Sequence, residues 1–136
     1  MNIVQEGYFH VPESVYRDIT EYFKDAYRAV KINNIKKIGS KNFPIKNFPI
    51  DFKGTRFEFL NKLTPQPSID VQLTTTEKSF YNNEDLSINK GYIQLGLGHD
   101  ARALYEVIEH EMTHFVQYLI QKHRQEKTKN SENLKR

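Results

Sequence analysis

Between Ala101 and Lys122 the apolar residues Leu104, Val107, Ile108, Met112, Phe115, Val116, Leu119 and Ile120 recur at spacings of three and four. At 100° per residue they cover most of a helix's circumference, so this segment must be a largely buried helix. One polar stripe interrupts the apolar surface: Glu106, His110, Thr113, His114, Gln117 and Gln121. Asp100 stands before the run as an N-cap, and Lys122, His123 and Arg124 lie beside the negative end of the helix dipole. A helix so widely apolar requires a second layer to cover it.

Within the stripe, His110 and His114 are one turn apart, so both imidazoles reach a single metal ion. Glu111 lies one residue further round the helix, beside such a metal rather than bonded to it, where a general base belongs. It falls off the stripe, among Leu104, Val107, Phe115 and Tyr118. A carboxylate in that arc costs free energy unless it is paired or used, and desolvation raises its pKa toward the range of a general base. The segment His110-Glu111-Met112-Thr113-His114 therefore reads as a hydrolytic zinc site. The absence of cysteine leaves only nitrogen and oxygen ligands, which again favours histidine and carboxylate. Of the other histidines, His10 flanks the first helix, His99 reads as a turn residue, and His123 points away from the stripe.

Upstream, Val15, Tyr16, Ile19, Tyr22, Phe23, Ala26, Tyr27 and Val30 predict an amphipathic helix from Pro12 to about Lys31. Pro12 suits its first position, and Glu13 and Asp18 place negative charge near its positive end. Asn33 to Ser40 separates this helix from a tandem repeat, Lys41-Asn42-Phe43-Pro44-Ile45 followed by Lys46-Asn47-Phe48-Pro49-Ile50. Its prolines each remove an amide donor, which predicts a loop or a sheet edge. Three strands are then expected: Thr55 to Leu60, with Phe57 and Phe59 on one side; Ser68 to Thr76, alternating around Ile69, Val71 and Leu73; and Gly91 to Leu97. The polar run Asn82-Asn83-Glu84-Asp85 reads as a connection.

At 136 residues the chain suits one domain over residues 1–121 and a polar, flexible extension over 122–136. With 38% hydrophobic and 27% charged residues it is of globular type, and no apolar run approaches the roughly 20 residues of a membrane span. Met1 to Glu6 shows no secretory signal, so the expected location is cytoplasmic, with a virion-associated state also open. The net charge is +3, unevenly spread: residues 24–62 hold ten Lys and Arg against Asp25, Asp51 and Glu58. That basic middle leaves nucleic acid open as a partner, although solvation explains most lysine-rich surfaces.

Residues Glu109 to Tyr118 resemble the active-site helix of zincin metallopeptidases, in particular the thermolysin-like gluzincins. The order helix, strands, metal helix is also similar to the upper half of that fold. The resemblance implies an α+β architecture with an N-terminal backing helix, a small, mostly antiparallel twisted sheet of three to four strands, and a long buried metal-binding helix. It implies that His110 and His114 bind Zn2+ and that Glu111 activates water to hydrolyse a peptide or protein substrate. In zincins an edge strand binds substrate by β-augmentation, here Phe80 to Asn83 or Gly91 to Leu97.

The chain also departs from the family. A catalytic zinc takes three protein ligands. Metzincins supply the third as a histidine where this chain has Ile120. Gluzincins supply a glutamate on a later helix, for which Glu132 has the better spacing and Glu126 the poorer. Glu106 suits a residue that orients a histidine or faces solvent. The lower half that closes a zincin cleft is largely missing. The alternative is a catalytically inactive zincin-like structural or interaction protein, such as a phage or mobile-element component. No motif sets the oligomeric state.

Overall fold

The structure, a computed structural model, describes residues 9–33, 42–76, 80–85 and 89–134. Met1 to Glu6, residues 34–40 of the connection Asn33 to Ser40, and Lys41 of the repeat lie outside the described residues. The order of elements is helix α1 (Glu13–Asn33), strand β1 (Lys46–Pro49), a short 3-10 helix (Glu58–Lys62), strands β2 (Ser68–Thr74), β3 (Phe80–Asp85) and β4 (Lys90–Gly96), and helix α2 (Ala101–Leu134). This is an α+β arrangement in which two helices and the sheet share one core. No helix among the described residues is long and apolar enough to cross a membrane.

Helix α1 begins one residue after Pro12, where the Val15 amide donates to the Pro12 carbonyl at 3.0 Å. Tyr16 departs from helical dihedrals, and the Thr20 hydroxyl donates to its carbonyl at 3.2 Å. The expected apolar positions of α1 are the ones that turn inward: Val15, Tyr16, Ile19, Phe23 and Val30 are buried. Helix α2 starts with Asp100 accepting a hydrogen bond from the Ala103 amide at 2.9 Å, the geometry of an N-cap. It does not end near Lys122. It continues to Leu134, because the polar run after Gln121 is rich in Lys, Gln, Glu and Arg, which favour helix, and contains no glycine or proline to break it. Residues 122–134 of the polar extension are thus part of α2.

The sheet has the strand order β1-β2-β4-β3. Two pairings are antiparallel, β1 with β2 and β3 with β4, but the central pair β2 and β4 is parallel. Alternation works as expected on both central strands. Ile69, Val71, Leu73, Ile93 and Leu95 are buried toward the helices, while Asp70, Gln72, Tyr92 and Gln94 line the outer face. On that outer face Lys90 pairs with Asp70 at 2.7 Å, Asn47 donates to Asp70 at 2.9 Å, and the Tyr92 hydroxyl donates to Gln72 at 2.6 Å. These cross-strand links satisfy polar groups that cannot all reach water.

The pentapeptide repeat runs along one margin of the sheet, as its prolines required. Its second copy supplies β1, and in its first copy Asn42 bridges Thr74 while the Phe43 amide donates to the Leu73 carbonyl at 2.9 Å. Phe48 is buried and Phe43 packs against the core.

Thr55 to Leu60 is not a strand. Gly54 turns the chain at φ +82°, and local bonds hold the turn: Thr55 donates twice to the Phe52 carbonyl, and the Gly54 amide donates to Glu58 at 2.9 Å. Asn61 closes the loop, accepting from the Phe52 amide and donating to Asp51, each at 3.0 Å. The apolar period is three rather than two, so Phe57, Leu60 and Leu63 are buried together while Phe59 remains 37% exposed. The polar run expected as a connection is instead β3, held by backbone pairing with β4 across a register shift between Asn82 and Asp85.

Candidate metal centre

Helix α2 packs against α1, β4, β3 and the 3-10 helix. Its apolar arc supplies the contact: Leu104, Ile108, Met112, Phe115, Val116, Leu119 and Ile120 are all buried. Once that arc is committed to the core, the opposite stripe must face outward. Glu106, His110, His114 and Gln121 are exposed, and Thr113 and Gln117 are half-buried. The helix is therefore buried on its apolar side only, and its histidine stripe opens to solvent rather than to the sheet.

On this open face the Nε2 atoms of His110 and His114 lie 2.9 Å apart. Their rings meet edge to face, with centroids 4.4 Å apart and planes at 85°. Two nitrogens turned toward one another at this distance share either a proton or a cation. A tetrahedral zinc with bonds of about 2.0–2.1 Å spaces two nitrogens by about 3.3 Å, within reach of a small rotation of either ring. The pair thus fits half of a zinc ligand set. Among the described residues no group of three or more His, Cys, Asp or Glu converges on a metal position.

Glu111 is half-buried on the margin between the apolar arc and the stripe. Burial pushes its carboxyl above the ordinary carboxylate range, and the neighbouring imidazoles of His110 and His114, when charged, pull it back. The sequence expectation of a desolvated carboxylate beside the pair is met in direction and in cause.

The remaining candidates are placed elsewhere. Glu106 faces solvent, with a loose contact to Arg102 at 3.8 Å. His99 is a turn residue whose amide donates to the Gly96 carbonyl, and His123 stacks edge-on to Phe59 at 5.0 Å. Glu132 belongs to the same unbroken helix as the pair, eighteen residues beyond His114, which at 1.5 Å per residue is about 27 Å along the axis. The helix does not bring it to His110 and His114, because continuing α2 past Lys122 removes the chain reversal that a later ligand requires.

One neighbour of the site had no sequence signal. His10 Nδ1 lies 3.0 Å from Glu109 Oε1, tying the segment before α1 to the residue preceding His110. The buried Tyr16 phenol lies in the field of the same carboxylate; its pKa is raised by burial first, then by Glu109 and Glu13. Residues so far apart in the chain meet only through the α1–α2 packing.

No family model, curated protein or solved structure matches this chain.

The sheet also separates the two segments expected to offer a substrate edge. Strand β4 is interior, paired with β2 on one side and β3 on the other, so Gly91 to Leu97 has no free edge. Strand β3 is terminal in the sheet, so of the two segments it alone leaves an edge unpaired among the described residues.

Proposed function

We propose that this chain is a minimal zincin-like metallopeptidase, with His110 and His114 as zinc ligands and Glu111 as general base. The observation that carries the reading is the 2.9 Å approach of the two Nε2 atoms on a helix face that also carries a half-buried carboxylate. When bound, zinc supplies Lewis acidity, polarising a peptide carbonyl and acidifying water.

The chain's own residues account for the proton. Glu111, with its carboxyl raised by burial, accepts a proton on a side-chain oxygen and returns it to the leaving amine. The surrounding apolar arc of α2 keeps that carboxylate partly out of water and so keeps it basic.

A second reading, an inactive zincin-like scaffold, is favoured by one specific observation. Both histidines are exposed, and no third ligand stands beside them among the described residues.

Metal analysis and proteolysis of an unfolded protein, on the full chain and two variants, separate the readings. Stoichiometric zinc is expected in the wild type and in Glu111→Gln, and none in His110→Ala. Turnover is expected to fall in Glu111→Gln by about 10² to 10⁴. Zinc without any turnover establishes the scaffold reading, and a metal-free wild type indifferent to added zinc removes both.

A further inference from the structure

Away from the histidine pair, α1 and the first turn of α2 border an open cavity of about 410 Å³ lined by Phe23, Lys24, Tyr27, Arg28, Lys31, Ala101 and Tyr105. Its chemistry is one-sided. Lys24, Arg28 and Lys31 stand at i, i+4 and i+7 on one helix face, a row of cations about 10 Å long, and no acid lines the wall. None of the three forms an ion pair among the described residues. Asp18, Glu21 and Asp25 of the same helix line the adjoining groove beside β1 instead.

The rest of the wall is aromatic. Phe23 is fully buried and meets Tyr27 and Tyr105 edge-on, at 5.8 Å and 5.2 Å between centroids. Both tyrosines are half-buried, and each has an ammonium over its ring: Lys24 at 5.6 Å from Tyr105 and Lys31 at 5.1 Å from Tyr27. Those lysines are exposed. An anion that draws them off uncovers two aromatic faces beside the bound charge.

We propose that this cavity binds a nucleotide unit, a planar base together with its phosphate, either free or within a single strand. The phosphate lies along Lys24, Arg28 and Lys31, and the base stacks on Tyr105 or Tyr27, the combination of basic track and aromatic platform that single nucleotides and single strands require. The volume falls within the range of about 300–1,000 Å³ typical of small-ligand sites, large enough for one nucleotide. This site is independent of the zinc reading.

Fluorescence anisotropy on the full chain, with a labelled mononucleotide and a labelled oligothymidylate of about ten nucleotides, tests it. At least one probe is expected to bind. The mononucleotide assigns the free ligand as the source, and the oligonucleotide alone assigns the strand. Arg28→Glu and Tyr105→Leu are each expected to weaken binding about tenfold, and Lys53→Glu, an exposed cation outside the cavity, to leave it within about twofold. Tyr27→Leu serves as the stacking variant if Tyr105→Leu does not fold. Binding of neither probe overturns the proposal. So does an equal loss in Lys53→Glu and Arg28→Glu, or unchanged affinity in the folded tyrosine variant.

Discussion

His110 and His114 face one another across a single turn of α2, Nε2 to Nε2 at 2.9 Å, on the side of the helix that the core does not use. Because neither ring is packed, the pair contributes little to the fold by itself and is free to serve a ligand.

This makes His114→Ala a clean variant. In chelator its stability is expected to match the wild type within about 0.5 kcal/mol, as for other exposed positions. With zinc at about a hundred times its dissociation constant, the wild type alone should gain about 2.7 kcal/mol, read as a rise in melting temperature. Equal shifts in both proteins would show that zinc binds elsewhere.

Glu111 makes a pH-dependent prediction. Its folded pKa is raised above the unfolded value, so the folded state favours the protonated form. The resulting stabilisation is fully present below the unfolded carboxylate pKa and is lost as pH rises through the folded one. Metal-free Glu111→Gln should therefore be at least as stable as wild type at neutral pH, with the difference closing on acidification. Denaturant melts at several pH values in chelator check this, and a variant that is less stable at pH 7 contradicts it.

Phe57 and Phe59 distinguish the 3-10 turn from a strand. Phe57 is buried and Phe59 is 37% exposed, although they are two residues apart. Phe57→Ala should cost about 3–5 kcal/mol, and Phe59→Ala well under half of that, since its ring is partly exposed and meets that of His123. Similar costs in equilibrium unfolding would return both residues to one buried face.

Asp100 caps the helix that carries the histidines, through the Ala103 amide at 2.9 Å. Asp100→Ala should destabilise by about 0.5–2 kcal/mol, and Asp100→Asn by less, because the amide oxygen keeps the bond. Hydrogen exchange of the first turn of α2 should accelerate in the alanine variant and not in the asparagine one.

Local periodicity alone determined α1, the start and buried arc of α2, the two central strands, and the placing of His110, His114 and Glu111 relative to one another. Each of these depends on repeats of two or about 3.6 residues and on short-range bonds such as the Asp100 cap, which a linear sequence displays. The period of three in Phe57, Leu60 and Leu63 was equally present, but Phe57 and Phe59 mimic a strand over so short a run.

Only the tertiary structure decided the rest. Strand β3 carries asparagines and acids that disfavour strands, and it exists because β4 offers a ladder of backbone partners. The parallel pairing of β2 with β4, and the meeting of His10 with Glu109, join residues whose separation along the chain leaves no periodic trace. Most consequential is where the histidine stripe points. Sequence placed both imidazoles and Glu111 on adjoining arcs of one helix, but packing of the opposite arc against α1 and the sheet turned the pair to solvent. A helix has one orientation in a fold, and the larger apolar area sets it.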